Sequence, residues 1–199
     1  MNITVNGYYI HYTEQGSGTP ILLLHGWGSS TAVWNPIITA FSNRFRLIAL
    51  DFPGCGESPE PESPMQLSDY TELVTAFVQA LDLKNLILMG HSNGGRVALH
   101  LLGTGRLTAQ KAVLFDSAGL KPPQSPLKTL RLAAFKTAKF FLTLPGLKSH
   151  TAQALQSVRS YFGSADYNNA SPVMRQTLVQ LIHTDATKLL PKITCPTLL

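Results

Sequence analysis

Four uninterrupted apolar runs punctuate the chain: Ile21 to Leu24, Leu47 to Leu50, Leu86 to Met89 and Ala112 to Phe115. Runs of this length without charge suit strands covered on both faces, as in a parallel sheet. Between the second and third runs, "LSDYTELVTAFVQALDL" places Leu73, Val74, Phe77, Val78 and Leu81 on one helical stripe, with Ser68 or Asp69 available as its N-cap. Beyond the third run, Val97, Ala98, Leu101 and Leu102 repeat at the same helical spacing. Alternating strand and helix predict right-handed βαβ units and a doubly wound sheet. The opening differs: Ile3 to Val5 and Tyr8 to Glu14, joined by Asn6-Gly7, read as an antiparallel hairpin.

Each parallel strand runs directly into polar or glycine-rich residues: "HGWG" at 25 to 28, "DFPGCGES" at 51 to 58, "GHSNGG" at 90 to 95 and "DSAG" at 116 to 119. Sites of α/β sheets lie at such carboxyl ends. After Gly119 the rhythm stops. Residues 120–188 are proline-punctuated and helical in pattern, with candidate helices at 126–142, 151–162 and 172–183, and are read as an inserted lid. Its first part carries Lys121, Lys128, Arg131, Lys136, Lys139 and Lys148 without an acid, beside an apolar stripe. Such a stripe suits an anionic membrane surface. It better suits a lid helix with its apolar side on the core and its lysines in water, which is the reading taken. "ITCPTLL" at 193 to 199 then begins another strand.

Length and composition bound the rest. The 199 residues have the size of one ordinary domain, and 44% hydrophobic against 14% charged residues excludes a disordered chain. No run reaches the length of a membrane span, and the N-terminus has no basic stretch followed by an apolar core. A cytoplasmic protein is expected. Cys55 and Cys195 are too few for a disulfide scaffold or a cysteine-based zinc site. The net charge of +5 is a modest basic excess, fitting a solubilising surface. No phosphate-binding loop, dinucleotide fingerprint or metal-ligand cluster is present, and the basic segment lacks interleaved aromatics. The expectation is therefore no cofactor, no metal, no nucleic acid, and a small-molecule partner.

The chemistry gathers at Ser92. Gly90-x-Ser92-x-Gly94 alone is a weak signal, but here a strand precedes it and a helix follows, the strand-turn-helix arrangement of a nucleophile elbow. That turn lifts the hydroxyl above the sheet edge, while small neighbours let strand and helix approach. A carbonyl under attack needs donors for its developing oxyanion. The backbone N–H of Asn93, the residue after the serine, is one candidate, and that of Trp27 in the "HGWG" turn is the second. The bland alternatives are a serine that only caps its helix and a Trp27 ring that only packs.

These motifs together resemble the α/β-hydrolase family, in particular small bacterial hydrolases with a helical cap. "HGWG", "DFPGCGES", "GHSNGG" and "PTLL" match its motifs in order and spacing. The resemblance implies a mostly parallel, doubly wound α/β-hydrolase sheet with a helical lid insertion, forming one domain over residues 1–199. It also implies a serine, an acid and a histidine in that chain order, the acid just after the strand begun by "PTLL" and the histidine later. Both would fall past Leu199, so the sequence reads as a fragment, incomplete at its C-terminus and crippled in catalysis. Asp116 is a possible alternative acid, since some members carry theirs on that strand; it also suits a loop cap. His25 reads as a loop-fixing residue, and none of His11, His91, His100, His150 and His183 is placed as an obvious base. Serine rather than aspartate at the elbow argues against dehalogenase or epoxide hydrolase chemistry. The leading expectation is a serine hydrolase of small carbonyl substrates, esters by default, acting through an acyl-enzyme. The alternative is a non-catalytic relative that binds a ligand or partner.

Overall fold

The apolar runs become the centre of a sheet. The computed structural model describes residues 1–121, 167–168 and 170–199. The chain divides into two compact units, Met1–Leu120 with Pro172–Leu199, and Lys121–Ser171. The sheet lies in the first. Its described strands are β1 (Asn2–Val5), β2 (Tyr8–Gln15), β3 (Pro20–Leu24), β4 (Arg46–Leu50), β5 (Ile87–His91), β6 (Lys111–Phe115) and β7 (Thr197–Leu198). They are ordered β1-β2-β4-β3-β5-β6-β7. β1, β2 and β4 pair antiparallel, and every pair from β4 through β7 is parallel. This is the mostly parallel sheet that the alternation of runs and stripes predicts, with the antiparallel hairpin joined at one edge.

Burial explains why the central runs tolerate no charge. Leu22, Leu23, Leu24, Leu47, Ile48 and Leu50 are fully buried. One face of the sheet packs Ile21, Leu23, Leu47 and Ala49 against Trp34 and Ile38 of the short helix α1 (Asn35–Phe41) and the turn before it. Helix α3 (Asn93–Gly103) packs on β5 and β3, and α2 (Leu67–Ala80) packs on α3 and β1. Two boundaries differ from the sequence pattern. β5 continues through Gly90 to His91, because both residues still pair with β6. The N-cap of α2 is Gln66, ahead of the expected Ser68 or Asp69: the Gln66 side chain accepts from the N3 backbone, and the Asp69 carboxylate accepts the Gln66 N–H at 2.7 Å. Asp69 thus closes a capping box from inside the helix. The expected helices at 126–142 and 151–162 lie outside the described residues, whereas the third is α4 (Pro172–Ile182), within the first unit.

The loops at the carboxyl edge are fixed by buried polar groups. Asp51, at the end of β4, is 1% exposed, and each carboxylate oxygen is used: Oδ1 accepts the Thr31 N–H at 2.6 Å, and Oδ2 accepts the Glu57 N–H at 2.9 Å and faces His11 Nδ1 at 3.0 Å. Gly56 passes so close that a Cβ there would lie 2.1 Å from Asp51 Oδ2. Ser58 joins the same cluster, donating to the Asp51 carbonyl at 2.8 Å and accepting the His11 N–H at 2.9 Å. The hairpin, the 29–31 turn and the "DFPGCGES" loop therefore share one carboxylate. Cys55 within that loop is buried, and burial pushes its thiol up to about 11, so at neutral pH it is a protonated, unreactive thiol.

His25 fixes the loop after β3. It is fully buried, and Phe52 N–H donates to its Nε2 at 3.0 Å, so the proton sits on Nδ1 and is donated to the Gly26 carbonyl at 2.6 Å. Desolvation holds its pKa below the ordinary histidine value, although the Gly26 carbonyl and Asp51 oppose that shift. A lowered folded-state value means that the unfolded chain binds the proton more readily, so this stabilisation is present above about pH 6.5 and fades as pH falls. Urea denaturation is expected to give a midpoint that drops between pH 7 and 5. In His25→Gln the midpoint should be lower at pH 7 and its slope with pH shallower.

Gly94 gives a second test. A Cβ there would meet the carbonyl oxygens of Leu24 at 2.0 Å and His25 at 2.8 Å. Helix propensity alone favours alanine by about 1 kcal/mol, whereas overpacking costs about 1–3 kcal/mol or more when the obstacle is backbone. Gly94→Ala should therefore lower stability in urea despite being a better helix former.

Candidate active site

Ser92 occupies the single residue between β5 and α3, with φ 48° and ψ −110°. A side chain in this region costs about 1–3 kcal/mol and persists only where its surroundings impose it. Here they do. The Ser92 N–H donates to the Phe115 carbonyl at 3.0 Å, and its own carbonyl accepts the N–H groups of Arg96 at 3.1 Å and Ala118 at 3.0 Å. Both backbone groups of the serine are thus occupied by the turn of α3 and by the segment leaving β6.

Glycine supplies the room. A Cβ at Gly90 would sit 2.7 Å from the Gly95 amide nitrogen, and one at Gly26 would sit 3.3 Å from Ser92 Cβ and 2.9 Å from His91 Nδ1. With Gly94 under the β3 carbonyls, these positions let three backbone segments converge on one serine. Ser92 stays partly exposed, and its hydroxyl makes no hydrogen bond among the described residues. The contact through Gly26 brings the "HGWG" turn beside it. Neither the Trp27 nor the Asn93 backbone N–H has an acceptor among the described residues. Asn93 is the buried first residue of α3, where a helix leaves its first amides without intrahelical partners and carries the positive end of its dipole.

Asp116 lies across from the serine. His91 pairs with Phe115 in the β5–β6 register, so Ser92 and Asp116 are the next residues of adjacent strands, and both have positive φ. Asp116 is exposed and its carboxylate makes no hydrogen bond among the described residues. The geometry therefore brings Ser92, Asn93, Asp116 and the Trp27 turn to one sheet edge. It brings no histidine into a hydrogen bond with Ser92 among the described residues. Both nitrogens of His25 are used, His11 faces Asp51, and His91 Nδ1 is buried beside Gly26 without a partner. His100 lies about two helical turns along α3, His183 follows α4, and His150 lies outside the described residues.

Three contributors carry no local sequence signal. The Phe115 carbonyl and Ala118 amide act through backbone, and the buried Arg96 guanidinium reaches across to the Leu181 carbonyl and Thr184 Oγ1. Among the described residues no group of three His, Cys, Asp or Glu could hold a metal ion, and no helix is long and apolar enough to cross a membrane.

Comparison with known proteins gives consistent matches. A family model described as the alpha/beta hydrolase fold matches residues 19–186. An uncharacterised protein of Mycobacterium tuberculosis is 30% identical over 142 residues, covering 65% of this chain and 42% of that protein. The soluble epoxide hydrolase of a Corynebacterium species is 33% identical over 112 residues, covering 56% of this chain and 39% of that enzyme. The matched stretches thus span less than half of these relatives. Among solved structures, an esterase from Exiguobacterium antarcticum superposes with a TM-score of 0.71 at 23% identity, covering 98% of this chain and 78% of that one. At that identity the likeness concerns fold. With the sheet order, the strained serine after β5 and a family match over most of its length, the chain belongs to the α/β-hydrolase family.

Proposed function

We propose that the protein is a serine hydrolase of small-molecule carbonyl substrates, an ester being the leading candidate, with Ser92 as nucleophile. In this reading Ser92 Oγ bonds to the carbonyl carbon and the hydroxyl proton passes to the departing alcohol. Water then cleaves the acyl-enzyme. The backbone N–H groups of Trp27 and Asn93 receive the carbonyl oxygen as it gains charge, and fixed donors of this kind are worth about 2.7–4 kcal/mol each. The observation that carries the reading is the strained backbone at Ser92 with an unengaged hydroxyl beside two unengaged amides. Backbone strain of this kind clusters at functional sites. Serine at the elbow also favours an acyl-enzyme over the chemistry named for the epoxide hydrolase and dehalogenase relatives.

Asp116 is the acid this arrangement would offer to a histidine arriving at Ser92. The described residues hydrogen-bond no base to the hydroxyl, and loss of the histidine from a serine triad costs about a millionfold in turnover. Ester turnover by the 199-residue chain is therefore expected to be very weak. That no base is hydrogen-bonded to Ser92 among the described residues favours a second reading, in which the protein binds a carbonyl ligand without turning it over.

A fluorophosphonate followed by intact mass and peptide mapping separates the two. The expected result is slow modification of one residue, Ser92, with none in Ser92→Ala. Labelling that is absent, or unchanged in Ser92→Ala, would overturn the hydrolase reading.

A further inference from the structure

The first unit holds a cavity of about 710 Å³ that Ser92, Trp27 and Asn93 do not line. It lies between the start of α2, the end of α3 and the end of α4, bordered by Gln66, Thr71, His100, Arg106, Gln180 and His183 together with further hydroxyl side chains. Thr104, at the C-cap of α3, is on the order of 18 Å along the helix axis from Ser92 at 1.5 Å per residue. The cavity is therefore separate from the candidate active site, and its volume falls in the range of small-molecule sites.

Its hydrogen-bonding state selects a ligand class. Three of its threonines have already spent their protons: Thr71 donates to the Ser68 carbonyl at 2.8 Å, Thr104 to the His100 carbonyl at 2.5 Å, and Thr184 to the Leu181 carbonyl at 2.6 Å. What Thr71 and Thr104 have left to offer a ligand is lone pairs, and Thr184 Oγ1 already accepts from Arg96 at 3.5 Å. A phosphate, sulfate or carboxylate ligand has only acceptors and would face them lone pair to lone pair. Charge gives an anion little compensation: Arg106 pairs with Glu72 at 3.0 Å, and burial, reinforced by Arg96 and opposed by Asp185, lowers the pKa of His100. A cation fares no better, because no carboxylate is among the described residues that line the cavity. Donors are also on offer, from the Gln66 and Gln180 amides and from Arg106 nitrogens beyond the one facing Glu72. His100 Nε2, which is buried, has no partner among the described residues. The ligand must supply hydrogen-bond donors and acceptors together, carry no charge, and rest its apolar side on Leu67.

We propose that this cavity is a binding site for a neutral polyhydroxylated molecule, a monosaccharide or disaccharide, distinct from the site at Ser92. Each sugar hydroxyl donates to a threonine oxygen and accepts from a glutamine amide. The test is a titration of the isotope-labelled chain with D-glucose, maltose and, separately, inorganic phosphate, followed by amide shifts at 66–71, 100–106 and 180–184. The expected result is a saturable response to one of the sugars at millimolar concentration and none to phosphate. Thr104→Val and Gln180→Leu, each removing one neutral hydrogen bond, should weaken binding roughly three- to tenfold. Thr104→Val keeps the side-chain shape, and Gln180→Leu alters a partly exposed helical position, so at least one variant should keep the fold. Overturning results are no saturable shift up to 100 mM of either sugar, saturable binding of phosphate at the same amides, or sugar binding unchanged in both folded variants. None of these depends on whether Ser92 reacts with a fluorophosphonate.

Discussion

Close approach of three backbone segments is the constraint on which the site depends. β3, β5 and α3 meet where Gly26, Gly90 and Gly94 leave no room for a Cβ, the tightest gap being 2.0 Å from the Leu24 carbonyl. Larger residues at these positions would push α3 off the sheet or move the "HGWG" turn away from Ser92. The glycines confer no chemistry of their own. They allow a serine to be held in a backbone conformation that it would otherwise avoid, with its amide and carbonyl spent on the Phe115 carbonyl, the Arg96 amide and the Ala118 amide. Only the side chain remains uncommitted, and this is what makes the hydroxyl available.

The loops around it are kept in place by buried polar groups whose valences are filled. Asp51 gathers Thr31, Glu57 and His11, and His25 joins the Phe52 amide to the Gly26 carbonyl. Because burial keeps His25 neutral, it serves as a donor on one side and an acceptor on the other, which an imidazolium could not do. A proton added there breaks the bond to Phe52 and places an unpaired charge against the core. Loop order and core burial are in this way coupled through a single ring.

Much of this is legible in the sequence, for identifiable reasons. Uncharged runs such as Leu47 to Leu50 are strands because both faces of a parallel sheet are covered, and that requirement leaves a local pattern. The elbow is legible because glycine and serine sit where an apolar run meets a helical stripe. What the sequence does not reveal is long-range. Gln66 caps α2 because Asp69 reaches back to its amide, so the cap shifts from the residues that usually fill it. β5 reaches His91 because β6 continues beside it. Arg96 extends to the end of α4, 85 residues away along the chain, and Thr177 caps the Met65 amide across 112 residues. Contacts of this kind arise from the fold as a whole and have no signature at either partner. The proposed oxyanion donors fall between these cases: the turn holding Trp27 is a motif, but its approach to Ser92 depends on Gly26 lying against Ser92 Cβ.

The central claim is that the fold holds the Ser92 hydroxyl beside two amides, ready to receive a carbonyl oxygen. A crystal structure of the chain carrying a phosphonyl group on Ser92 tests this most directly. One phosphonyl oxygen is expected within hydrogen-bond distance of both the Trp27 and Asn93 backbone nitrogens, with α3 unmoved. An adduct whose oxygens all turn to solvent, or a Trp27 amide directed away from it, would contradict the account.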